Sequence, residues 1–183
     1  MKTVCIQAGH NPKGKVACGA SDYLDESTEA RYITKKIIKY LKKQEIKVKD
    51  CTVNNGVSQS DVLKKICAKS NSVDSGLTVS IHFNAATHES KSNGQTLGTE
   101  VWVNNRYGIK GDLAEDICRS ISKFGFKNRG VKTTNDLYFL NHTTAPAVLV
   151  EVCFVTDKDD AKLYKSHRGE IAEAIAKAII RHI

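Results

Sequence analysis

Hydrophobic positions along the chain follow two different periods. Short apolar or alternating runs predict strands at "TVCIQA" (3–8), "IKVKDCTV" (46–53), "LTVSIHF" (77–83), "TEVWVN" (99–104), "LYFL" (137–140) and "AVLVEVCF" (147–154). Helical spacing lies between several of them, at about 26–43, 59–70 and 107–124, and again in the terminal "GEIAEAIAKAIIRHI" of 169–183. Strands alternating with amphipathic helices predict an α/β fold with a mostly parallel, mixed sheet.

The first helix has a marked start. Asp25 suits the N-cap with Thr28 and Glu29 in the first turn, while Ala30, Ile33, Ile37 and Leu41 form one apolar face. Stepping that face back one turn from Ala30 lands on Glu26, a carboxylate at the end of a buried stripe where the helix dipole favours negative charge. Glu29 lies one step round the helix and is the rival position.

Length and composition narrow the class. The 183 residues suffice for one domain with a sizeable core, and 40% hydrophobic with 26% charged residues is ordinary globular composition. With two prolines, no internal repeat and no low-complexity stretch, nothing divides the chain, so one domain is expected over 1–183 with no second module. The first residues lack a signal peptide's apolar run, and no membrane-spanning run of about 18 apolar residues occurs. A soluble product made in the cytoplasm is expected.

The net charge of +8 favours a polyanionic partner. Nucleic acid, a membrane surface and an anionic wall polymer all fit, although the lysines gather on helix faces such as "TKKIIKYLKKQ", where solvation alone explains them. No RNA-recognition signature, zinc-finger pattern or basic tail points to specific nucleic-acid binding. The six cysteines form no C-x-x-C pair and read as free thiols, several of them buried.

Three strand ends carry a polar group where an apolar one is expected. His10 closes "VCIQAGH" at a turn marked by Gly9, His82 lies in "LTVSIHFNA", and Glu151 stands alone among the apolar residues of "PAVLVEVCF". Burying that carboxylate unpartnered costs several kcal/mol or forces it to neutralise, so an ion pair or a function is implied. His82 alone is read as a hydrogen-bonded core histidine, and His10 alone as a loop cap. Together with Glu26 they form a pattern. Two histidines and a glutamate suit Zn²⁺ at three protein positions with a fourth left for water, and a further carboxylate beside that water is the usual general base. No H-E-x-x-H motif is present, so the ligands must converge from distant segments.

The strings "AGH" with His10, "DESTEAR" with Glu26, "SIHFNA" with His82 and Asn84, and "PAVLVEVCFVTD" with Glu151 resemble, in order and across essentially the whole chain, the four signature segments of zinc-dependent N-acetylmuramoyl-L-alanine amidases, shared by bacterial autolysins and phage endolysins. The resemblance implies a single α/β domain with a twisted mixed sheet flanked by helices. By it, His10, Glu26 and His82 take the places of the ligands to one Zn²⁺, and Glu151 that of the catalytic glutamate. One departure stands out: the family's asparagine before Arg31 is replaced by Ala30.

The implied reaction is hydrolysis of the amide between the lactyl group of N-acetylmuramic acid and L-alanine in peptidoglycan, degrading the cell wall. The enzyme would act at the wall, released at lysis if it is an endolysin. Asn84 and His142 are candidates for substrate contact, and "ATHESKSNGQTLG" after His82 is expected to form a substrate rim. His88, His167 and His182 read as surface groups. The alternatives are a zinc peptidase cutting within the stem peptide, and a non-catalytic wall-binding or nucleic-acid-binding module.

Overall fold

The computed structural model describes residues 2–183, which form a six-stranded sheet and five helices. In chain order these are β1 (Thr3–Ala8), α1 (Glu26–Lys43), β2 (Val48–Asp50), α2 (Gln59–Asn71), β3 (Ser75–Asn84), β4 (Thr99–Val103), α3 (Ile109–Ser122), β5 (Asn128–Thr133), α4 (Tyr138–His142), β6 (Ala147–Phe154) and α5 (Lys158–Ile180). The strands lie in the order β2-β1-β3-β6-β4-β5. Strands β2, β1, β3 and β6 are parallel; β4 runs antiparallel to β6, and β5 parallel to β4. The sheet is therefore mostly parallel and mixed.

Alternation along the strands creates two unlike faces. Val4, Ile6 and Ala8 of β1, Leu77, Val79, Ile81 and Phe83 of β3, and Val148, Val150 and Val152 of β6 join the main core with α1, α3 and α5. From α1, Ala30, Ile33, Ile37 and Leu41 enter that core fully buried, each large aliphatic contributing about 1.5–3 kcal/mol. Asp25 caps the helix, its carboxylate accepting from Thr28 N at 2.9 Å.

The opposite face is more polar and less fully covered. Cross-strand register places Gln7, Ser80, Leu149 and Trp102 in one row, and His82, Glu151 and Glu100 in the next. A smaller core of Val62, Ile66 and Cys67 from α2 and Phe139 and Leu140 from α4 shields part of this face. The remainder opens as a cleft.

Four expectations need correction. "LYFL" is not a strand: Tyr138–His142 is a helix whose adjacent Phe139 and Leu140 are both buried against the smaller core, and so short an apolar run carries no period to tell helix from strand. Asn128–Thr133 is an unanticipated strand; at the sheet's edge it buries only Val131, so it reads as polar loop. The last helix begins at Lys158, not 169, because its polar first turns are held by the Asp157 cap, which accepts from Asp160 N at 2.6 Å, and by buried Tyr164. The predicted strand 46–53 contracts to Val48–Asp50 at the other edge.

Candidate metal centre and cleft

His10, Glu26 and His82 converge from the end of β1, the first turn of α1 and the end of β3, with one donor atom of each within 4.8 Å of the others. Glu26 Oε1 lies 3.2 Å from His10 Nε2 and 3.1 Å from His82 Nδ1. Ligand bonds of about 2.0–2.1 Å in tetrahedral arrangement place donor atoms about 3.3 Å apart, so this spacing fits a Zn²⁺-sized ion.

The centre is braced from behind. Phe83 N donates to Glu26 Oε1 at 3.2 Å and Ala20 N to Oε2 at 2.9 Å. The two imidazoles meet edge to face, their centroids 4.9 Å apart. Glu29, the rival on α1, points the other way: Tyr164 Oη donates to it at 2.8 Å, and Arg168 lies 3.8 Å off.

Two glycines make the convergence possible. A Cβ on Gly9 would fall 2.1 Å from His82 Cε1, and one on Gly19 2.4 Å from Glu26 Oε2. The turn after β1 thus differs from the sequence reading: Gly9 makes room for a ring, while His10 itself takes the left-handed conformation, φ +64°. That conformation costs a non-glycine residue about 1–2 kcal/mol. Arg31 holds it, donating from Nη2 to His10 O and Val53 O at 2.9 Å each and from Nη1 to Ser27 O at 3.0 Å. Asn11, fully buried, ties the following loop down through Val16 O and Gly56 O, 2.8 Å each.

Electrostatics separate the two acidic groups. Burial opposes charge on Glu26, yet the imidazoles of His10 and His82 hold its carboxyl well below the usual range. Burial also lowers His82 despite the pull of Glu26, favouring the neutral imidazole that metal binding requires. Glu151 is pushed well above the ordinary carboxylate value, first by burial and then by Glu26 and Glu100. Its Oε2 is buried and has no hydrogen-bond partner among the described residues. No lysine or arginine pairs with it among the described residues, so the ion-pair alternative for Glu151 has no support.

Glu100 is Glu151's neighbour across β4 and β6 and shows the opposite condition. Arg129 Nε donates to its Oε2 at 2.7 Å, while Asn84 Nδ2 and Trp102 Nε1 donate to Oε1 at 2.9 and 3.1 Å. Asn84 therefore lines the cleft with its amide engaged by Glu100. His142 lies outside the lining; it stacks on Tyr138, which does line the cleft, at 3.7 Å between centroids. No residue of the expected rim, 86–98, is among those lining the cleft, which stop at Ala85 just before it; within the rim, Asn93 N and Gly94 N donate to Asp159 at 3.0 and 2.9 Å. Ala17 and Ala20 of the 11–22 loop do line the cleft. Sequence reading did not single out Gln7, Ser80, Glu100 or Trp102, all on the cleft's face of the sheet.

The cleft has a volume of about 580 Å³ and contains both the triad and Glu151. Two nitrogens and a carboxylate oxygen able to hold a metal, beside a carboxyl inclined to carry a proton, are the parts of a metal-assisted hydrolase. A family model for N-acetylmuramoyl-L-alanine amidase matches residues 4–181, and the chain belongs to that family. It is 38% identical over 182 residues to an uncharacterized 38.4 kDa protein of Clostridium perfringens, covering 98% of this chain and 51% of that protein. An endolysin of Bacillus phage SPP1 is 32% identical over 185 residues, covering 97% and 65%. The catalytic domain of the CD27L endolysin, which targets Clostridia difficile, superposes with a TM-score of 0.85 at 25% identity, covering 99% of this chain and 98% of that one. The chain spans about half the length of the two Clostridium perfringens relatives it matches. Among the described residues no helix is long and apolar enough to cross a membrane.

Proposed function

We propose that the chain is a zinc-dependent N-acetylmuramoyl-L-alanine amidase, hydrolysing the amide between the lactyl group of N-acetylmuramic acid and L-alanine in peptidoglycan. The observation that carries the reading is the meeting of Glu26 Oε1 with His10 Nε2 and His82 Nδ1 in the cleft that also holds the unpartnered Glu151 Oε2. Two imidazoles and one carboxylate are a donor set suited to Zn²⁺. When bound there, the ion supplies Lewis acidity, polarising the scissile carbonyl and acidifying water.

The chain's own groups do the rest. Glu151 Oε2 accepts a proton from the attacking water and returns it to the leaving L-alanine nitrogen. Its raised proton affinity suits both halves of that exchange. Glu26, fixed by the Phe83 and Ala20 amides, cannot swing toward Glu151 and compete for the same proton.

The outer face of α1 exposes Lys35, Lys36, Lys39, Lys42 and Lys43, none within ion-pair reach of a carboxylate among the described residues. With the +8 charge, that face supports attachment to anionic wall polymers, which salt weakens. The test is product analysis on purified peptidoglycan: the reading requires a new amino terminus on L-alanine. Cleavage only between stem-peptide residues would instead make the protein a zinc peptidase.

A further inference from the structure

Beyond the triad and Glu151, the cleft runs along the sheet to Trp102, the chain's single tryptophan. We infer that this end is a saccharide subsite, in which the indole face of Trp102 seats the pyranose ring of the muramoyl unit while the stem peptide leaves toward solvent. The inference rests on the amidase reading and adds which half of the substrate goes where.

Three observations carry it. The indole is held in place: Nε1 donates to Glu100 Oε1 at 3.1 Å, and Glu100 is itself fixed by Arg129 and Asn84. A ring presented at a set angle from a rigid strand is a platform that loses little freedom on binding. Next, the surroundings are amphipathic in the manner of a sugar: Leu149, Leu137 and Tyr138 offer apolar surface, while Gln7 and Ser80, in the same strand row as Trp102, bring buried side-chain oxygens without partners. A pyranose ring matches this, with C–H faces for the indole and an N-acetyl N–H and hydroxyls for the oxygens.

The third observation is charge. Among the described residues no lysine or arginine lines the cleft, whose ionisable groups besides the Tyr138 phenol are His10, His82, Glu26, Glu151 and Asp136. A stem peptide carries free carboxylates, which away from the metal site would meet the carboxyl groups of Glu151 and Asp136 and no lysine or arginine to offset them. The muramoyl unit, its lactyl carboxyl already consumed in the scissile amide, is uncharged. The neutral half of the substrate is the one this wall accepts.

With one tryptophan, all indole emission reports on the subsite. The zinc-supplemented Glu151→Gln chain is titrated with N-acetylmuramic acid capped as its methylamide, and separately with the dipeptide L-alanyl-γ-D-glutamate. The expected result is a saturable emission change from the muramoyl probe and none from the dipeptide. In otherwise wild-type protein, Trp102→Ala should raise KM for an intact muropeptide about tenfold with zinc content unchanged, and Trp102→Phe, which keeps a ring face, should stay within about threefold.

An emission change from the dipeptide but not the saccharide would assign the wall to the peptide and overturn the inference. So would silence from both probes in a chain whose wild type still frees the L-alanine terminus, and there the amidase reading survives. If wild type frees no such terminus from muropeptides, the amidase reading itself has failed and the saccharide assignment falls with it.

Discussion

The imidazole of His82 fills the space that a side chain on Gly9 would need: a Cβ there would lie 2.1 Å from Cε1 and 2.3 Å from Nε2. Neither side can yield cheaply, because Gly9 N donates to Ile81 O at 2.9 Å and His82 stands in a paired central strand. Gly9→Ala should therefore turn the ring off its position while leaving the sheet paired. Metal affinity is expected to fall at least about 100-fold with the folded state retained, read by metal content and circular dichroism. Zinc retained at the wild-type level would contradict this packing argument.

Arg31 acts one step behind the proposed ligands. Its guanidinium gathers the carbonyls of His10, Val53 and Ser27, which stabilises the left-handed turn at His10. Arg31→Ala should weaken metal binding about 10–100-fold in a chelator competition, and Arg31→Lys should recover little, since an ammonium cannot span the separate acceptors that the fork reaches.

Glu151 is expected to separate metal binding from turnover. Glu151→Gln keeps the shape and removes the proton acceptor, so release of L-alanine-terminated peptide should fall about 10²–10⁴-fold at unchanged zinc content. Activity near wild type would exclude Glu151 as the base.

An acid on α3, outside the cleft lining, is expected to contribute to stability in a pH-dependent way. Asp116 on α3 is largely buried, and although that burial opposes ionisation, Arg181 and Arg119 hold its pKa down to about 2 from 3.8. The folded value lies below the unfolded one, so the stabilisation is present above about pH 4 and disappears as pH falls through about 2. Asp116→Asn should cost roughly 1–2 kcal/mol at pH 7, and the gap from wild type should close on acidification, measured by urea unfolding across pH.

The parts of the molecule legible in the sequence are those whose pattern is local. Ala147–Phe154 is apolar except at Glu151, Val4–Ile6 is a short apolar run, and α1 combines a side-chain cap with a regular stripe whose phase selects Glu26 over Glu29. Edge strand Asn128–Thr133 and the polar opening of α5 gain their structure from pairing and packing that no short window contains. The site divides in the same way. His82 and Glu151 stand out as polar interruptions of apolar runs. Glu100 and Trp102 look like ordinary alternation in "TEVWV", and only the register of β4 on β6 brings them to the cleft. Arg31 belongs to a motif, but its duty becomes visible once the carbonyls of the His10 turn are placed.

On the proposed reading, His10, Glu26 and His82 hold one catalytic zinc. Metal content of purified wild type beside His10→Ala and His82→Ala, with a wall-clearing assay after chelation and zinc add-back, tests it most directly. The expected result is about one zinc per chain, lost in both variants, with clearing abolished by chelator and restored by zinc. A metal-free wild type that clears walls regardless of chelator would contradict it.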